Sequence, residues 1–174
     1  MKIFKAIFRI VLIISVVVVA VLAIVQMPKR TCTAIQVVPH TQNESVVFGQ
    51  QDVEQMLANA QYTVVGKKMK DVDQAKISKL LKANPYIQRV NFVHFAGTRL
   101  MIDYTLRNMV LHVFDADGDQ YFVHVDGKLL PYTSKMTDNL IVANGNIHQN
   151  YKKGSSAKTH LHQILNLTNL INAD

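Results

Sequence analysis

The chain has 174 residues, 49% of them hydrophobic, with a formal net charge of +7, a single cysteine and no tryptophan. One cysteine excludes an intrachain disulfide framework. The basic balance is mostly local: five of the 19 lysines and arginines fall in the first thirty residues, which hold no acid, so the remainder carries fourteen bases against 12 acids and gives little reason to expect a nucleic-acid partner.

The N-terminal stretch "MKIFKAIFRIVLIISVVVVAVLAIVQMPKR" places Lys2, Lys5 and Arg9 before an uncharged apolar run from Ile10 to Val25. A helix needs roughly 20 such residues to cross a bilayer. The run therefore predicts a short cytoplasmic tail over 1–9 and a transmembrane helix over 10–27. The flanking charges put the N-terminus in the cytoplasm, and residues 31–174 in the periplasm or outside. A secretory signal peptide, cleaved near Val21-Leu22-Ala23, is the rival reading, but its apolar core normally has about 7–15 residues. Both readings place the bulk of the chain beyond the cytoplasm.

From about Cys32 to Val38 the text reads as a strand ended by Pro39. "GQQDVEQMLANA" spaces Val53, Met56, Leu57 and Ala60 as one face of a helix, broken at Gly66. "DVDQAKISKLLKANP" is the clearest helix. Asp71 and Gln74 form a capping-box spacing, Ile77, Leu80 and Leu81 an apolar stripe, and Asn84-Pro85 a stop. Two strands follow, with Val90, Phe92 and His94 on one face of the first and Leu100, Ile102, Tyr104 and Leu106 on one face of the second. The first lobe thus reads β-α-α-β-β over 32–106, two helices on one face of a three-stranded sheet. Beyond Arg107 come short strands at 110–114, 120–125, 128–130 and 140–143, an exposed spacer "YKKGSSAK", and a helix with Leu161, Ile164, Leu165, Thr168 and Ile171 on one side. The second lobe, 107–174, is a small antiparallel β domain with a C-terminal helix. The fold class is α+β.

Asp115, Asp117, Asp119 and Asp126 have part of the skeleton of a calcium loop. Gly118 stands at position 4 of that loop, Gln120 at 6, and Asp126 replaces the usual glutamate, while the flanks read as strands, not helices. "DADGD" is a hairpin turn in which glycine supplies a positive φ and aspartates bond their own backbone. The four aspartates remain weak metal candidates. His160 and His162 lie two apart on a helix and face different directions. His112 and His124 could meet across the hairpin, but two imidazoles without a third ligand make a poor site. No serine has a nucleophile-elbow context and no phosphate-binding loop is present. The reading is a non-enzyme with no cofactor and no small-molecule substrate.

Taken in order, these segments resemble the bacterial cell-division family FtsQ/DivIB, and the first lobe resembles its POTRA domain. "IQVV" follows the apolar helix. "DVDQAKISKLLKANPYIQRVNF" is similar to the family's helix and "NPYI-x-x-V" strand, and "GTRLMIDYTLRN" to its "G-x-L-x-I-x-V-x-x-R" strand. "QYFVHVDGKLLP" and "NLIVANGNI" look like its following hairpin and strand. Three features depart: Met109 stands at a family proline, His124 at a family acid, and the family's β lobe continues past the helix where this sequence stops at Asp174. Those further strands form the edge to which FtsB binds by strand addition, so the β domain reads as incomplete.

The resemblance implies a single-pass inner-membrane scaffold concentrated at the division site, linking upstream recruiters to FtsL, FtsB and septal peptidoglycan synthases. On the first lobe, Lys76, Lys79, Lys82 and Arg89 are the candidate partner-binding residues. Two alternatives stand beside this: another exported POTRA-type adaptor or chaperone, and a calcium-dependent binding module.

Overall fold

The period-2 runs and the two amphipathic stretches assemble as a helix-on-sheet lobe followed by a second, smaller sheet. The computed structural model describes residues 2–26, 30–42, 45–136, 139–149 and 151–171, with side chains of the first helix described over 8–22.

That first helix, α1, is Lys2–Gln26. Among the described residues no helix is long and apolar enough to cross a membrane. This overturns the expected transmembrane helix over 10–27. With it go the cytoplasmic tail over 1–9, the single-pass inner-membrane anchor and the localisation built on that anchor.

The first lobe holds β1 (Ala34–His40), α2 (Gln50–Asn59), α3 (Gln74–Lys82), β2 (Ile87–Ala96) and β3 (Arg99–Leu106). Its sheet has the order β1-β3-β2, with β1 parallel and β2 antiparallel to the central β3. The helices cover one face, burying Val53 and Leu57 of α2 and Ile77 and Leu81 of α3. Below them lie Leu100, Ile102, Tyr104 and Leu106, as the alternation in β3 predicts. Each fully buried aliphatic side chain of this kind contributes about 1.5–3 kcal/mol.

Four local expectations are corrected. β1 runs through Pro39, because a proline is tolerated on an edge strand. The cap of α3 is Asp73, whose carboxylate accepts the Lys76 amide at 2.9 Å, while Asp71 lies in a 3-10 turn. α2 ends at Asn59, before Gln61 with φ 51°, and not at Gly66. In β2, register shifts between Ile87 and Arg89 and between Val90 and Phe92 change the facing of the strand. A bulge of this sort moves every later residue to the other side. Val90, Val93 and Phe95 therefore pack on the core, whereas Phe92 is 43% exposed and meets His94 edge-to-face on the open face.

The second lobe holds β4 (Met109–Phe114), β5 (Gln120–His124), β6 (Leu129–Pro131), β7 (Ile141–Asn144) and α4 (Thr159–Ile171), with sheet order β6-β5-β4-β7. β7 pairs with β4 in parallel, so the sheet is mixed and not antiparallel throughout. The helix α4 buries Leu161, Leu165 and Thr168 against it, while Ile171 is 55% exposed. The segment 151–158 is no free spacer: Ser155 O accepts the Leu129 amide at 2.8 Å, and the Ala157 amide donates to Gly127 O at 2.8 Å.

The two lobes share one core. Met109, Phe122 and Leu130 of the second sheet belong to the same buried cluster as Ile77, Leu100 and Tyr104 of the first. Polar contacts reinforce the junction. Arg107 Nε donates to Pro85 O at 3.0 Å, Asn108 Nδ2 to Gln42 Oε1 at 2.9 Å, and Tyr86 OH to Pro131 O at 3.3 Å. Lys135 reaches across to Asp52 in the first turn of α2.

Candidate interaction surfaces

The strongest sequence candidates, Lys76, Lys79 and Lys82, all lie exposed along α3. A helical repeat of three puts them on a common stripe. Arg89 is not brought to them. Its Nε donates to Asn91 Oδ1 at 2.9 Å, and Asn91 Nδ2 in turn donates to Asp103 Oδ1 at 2.6 Å, on the face of the sheet that no helix covers. The sheet separates the arginine from the lysines. Sequence reasoning also missed Lys67. Its Nζ stands 4.7 Å from the Tyr62 ring centroid, and that of Lys76 stands 4.8 Å from the same ring. Two cations on one aromatic ring are each held by its quadrupole, but residues nine apart across a turn give no periodic signal in the sequence.

On the open face, His40 Nε2 lies 3.0 Å from Asp103 Oδ2. Burial raises the Asp103 carboxyl, but hydrogen bonds from Asn91 and His40, with the imidazole's charge, outweigh it and hold the group below the usual carboxylate range. The pair links the edge strand β1 to central β3.

At the junction, His124 Nδ1 lies 2.6 Å from Asp126 Oδ1, and Arg107 Nη1 lies 3.8 Å from Asp126 Oδ2. Burial dominates at His124, and although Asp126 pulls the other way the ring titrates below the ordinary histidine range. The imidazole is therefore neutral near pH 7, and its Nδ1 accepts the Asp126 amide at 3.2 Å. His112 does not meet it: His112 is opposite Phe122 and His124 opposite Met109. Instead His112 stacks on Tyr132, centroids 5.3 Å apart, beside Phe114 and Phe122.

The acidic loop is built as a hairpin turn. Asp115 Oδ1 accepts the amides of Asp117 at 3.1 Å and Asp119 at 2.8 Å, and Gly118 has φ +88°. Asp126 sits in the next turn, accepting the Lys128 amide at 3.0 Å. Among the described residues, no three His, Cys, Asp or Glu side chains are placed to hold a metal ion. The buried Asp115 Oδ2, Tyr121 OH and Tyr151 OH have no hydrogen-bond partner among the described residues.

Residues 30–105 match the family model of the POTRA-like domain, the span of the first lobe with its two helices on one face of the sheet. No curated protein matches the chain. POTRA-like domains are generally non-catalytic modules that mediate protein–protein interactions, and the match suggests an adaptor or scaffold.

Proposed function

We propose that the chain is a non-enzymatic cell-division scaffold that links early division components to FtsL and FtsB and, through them, to septal peptidoglycan synthesis. One observation carries the reading. A POTRA-like domain is followed directly by a hairpin lobe that shares its core, in the order by which the sequence resembles the FtsQ/DivIB family. A rigid two-lobe body presents several partner surfaces at fixed separations, which is what linking requires. The lysines Lys76, Lys79 and Lys82 are assigned to one partner and Arg89, on the opposite face, to another.

The test is binding of the purified chain to a soluble FtsL–FtsB complex. Association that is weakened by joint Lys76→Glu, Lys79→Glu and Lys82→Glu, or by Arg89→Glu, supports the assignment. A wild-type chain that fails to associate overturns it.

A second reading, a POTRA-type adaptor or chaperone outside division, is favoured by the extent of the match, which covers only the first lobe. It predicts that FtsL and FtsB are ignored while unfolded client chains are bound.

A further inference from the structure

One face of the second sheet is covered by α4, which packs over Leu111, Val113, Tyr121 and Val123. Strand alternation sends His112, Phe114 and Phe122 to the other face. There the pairing sets His112 between Phe122 of β5 and Val142 of β7. Phe122 is taken into the core shared with the first lobe, but Phe114, Tyr132 and Val142 stay exposed beside it. A cleft of about 290 Å³ opens among His112, Phe122, Tyr132, Leu140 and Val142, at the small end of ligand clefts, roughly 300–1,000 Å³. From this arrangement we infer that the cleft takes one arginine side chain of a basic partner segment, whose next cations meet the carboxylates of Asp117 and Asp119.

The walls call for a flat group that donates hydrogen bonds. The His112 ring lies 16° from the plane of Tyr132, centroids 5.3 Å apart, with the Phe114 centroid at 4.4 Å and that of Phe122 at 4.9 Å. Its Nε2 is buried and has no hydrogen-bond partner among the described residues. Burial also holds the ring below the ordinary histidine range, so it is uncharged near pH 7. With the proton on Nδ1, Nε2 is an acceptor that lacks a donor, and a buried acceptor is costly to leave so. A purely apolar side chain would fill the cleft and leave that nitrogen unpaired. A guanidinium lies flat against aromatic faces, sheds water readily and carries five N–H donors, whereas an ammonium is a strongly hydrated point charge that cannot stack.

The neighbouring turn calls for further cations. Asp115 spends one carboxylate oxygen on the amides of Asp117 and Asp119. The carboxylates of Asp117 and Asp119 themselves are exposed and enter no ion pair among the described residues. This turn ends β4 immediately past Phe114, and His112 lies about 7 Å back along the strand from Phe114, at ~3.3 Å per residue. A cation three or four residues from the arginine of an extended segment therefore reaches the turn. An acidic segment is repelled there, so the turn selects the sign of the partner while the cleft selects the side chain.

The inference rests on the reading of the chain as a protein-interaction module and adds the chemistry of one partner. The probe is a blocked synthetic peptide, Ser-Arg-Gly-Ser-Lys-Lys, titrated into the isotope-labelled full chain and followed by amide chemical shifts. Shifts at His112, Phe114, Tyr132 and Val142 and in the 115–119 turn are expected. The same peptide with citrulline, an uncharged isostere, in place of arginine should bind roughly tenfold more weakly. His112→Phe keeps an aromatic wall but removes the acceptor, and should weaken the arginine peptide roughly tenfold. Joint Asp117→Asn and Asp119→Asn alters only exposed side chains, so it reads binding even where the His112 variant unfolds, and should also weaken the peptide roughly tenfold.

No shifts at millimolar peptide, equal binding of the citrulline peptide, or unchanged binding by either folded variant overturns the inference. So does a version with tryptophan for arginine that binds as tightly, since the cleft would then be an apolar slot. The same shifts on concentrating the chain alone, or on adding phosphatidylcholine vesicles, would assign the cleft to a second copy or to a lipid headgroup and overturn it likewise. Should the peptide leave these residues unmoved while the chain still engages FtsL and FtsB, the cleft assignment fails and the scaffold reading stands.

Discussion

Phe122→Ala probes whether the two lobes are one unit. Phe122 is 2% exposed on β5 of the second sheet, yet belongs to the cluster that contains Ile77, Leu100 and Tyr104 of the first. Truncating a buried phenylalanine costs about 3–5 kcal/mol in lost burial and residual cavity. If the shared core makes the body cooperative, the amides of Leu100 and Ile102 in the central strand of the first lobe exchange only on global opening. Their hydrogen exchange should then accelerate by between about a hundredfold and a few thousandfold, at ~1.4 kcal/mol per factor of ten. Native-state exchange read by NMR resolves the two lobes residue by residue. Acceleration confined to residues 109–144, with Leu100 and Ile102 unchanged, would refute the cooperative body.

Three further outcomes are expected. Asp73→Ala removes the α3 cap and should destabilise the chain by about 1 kcal/mol in urea unfolding. Tyr104→Phe leaves the Phe48 carbonyl, now bonded at 2.5 Å, without its donor and should cost about 1–3 kcal/mol by the same assay. Burial holds His112 and His124 below the ordinary histidine range. Protonation therefore favours the unfolded chain, and stability present above about pH 6.5 is lost as pH falls. The urea midpoint should drop between about pH 7 and pH 5, and drop less in His112→Phe; a flat profile contradicts the assignment.

Much of the first lobe was legible because its signals are periodic and local. Leu100, Ile102, Tyr104 and Leu106 declare their face by strict alternation, and Ile77 and Leu81 theirs by helical spacing. The facing of β2 was not legible, since the shifts at Ile87 and Val90 depend on pairing with β3, not on the text of β2 itself. The cap of α3 fell at Asp73 although Asp71 had the better spacing, because the 3-10 turn through Met69–Asp71 consumes that aspartate. The apolar N-terminal run suggested a membrane span that the described helix does not support.

Among the interaction surfaces, the lysine stripe of α3 was visible from composition and spacing. The Lys67–Tyr62–Lys76 arrangement was not, because residues nine apart across a turn give no periodic signal. Pairing across 65 residues, as between Thr33 and Thr98, leaves no local trace.

Depletion of the chain from growing cells bears on the scaffold reading most directly. Cells lacking it should elongate into filaments without septa, and restored expression of the gene should restore division. Depleted cells that keep dividing at normal length would contradict the account.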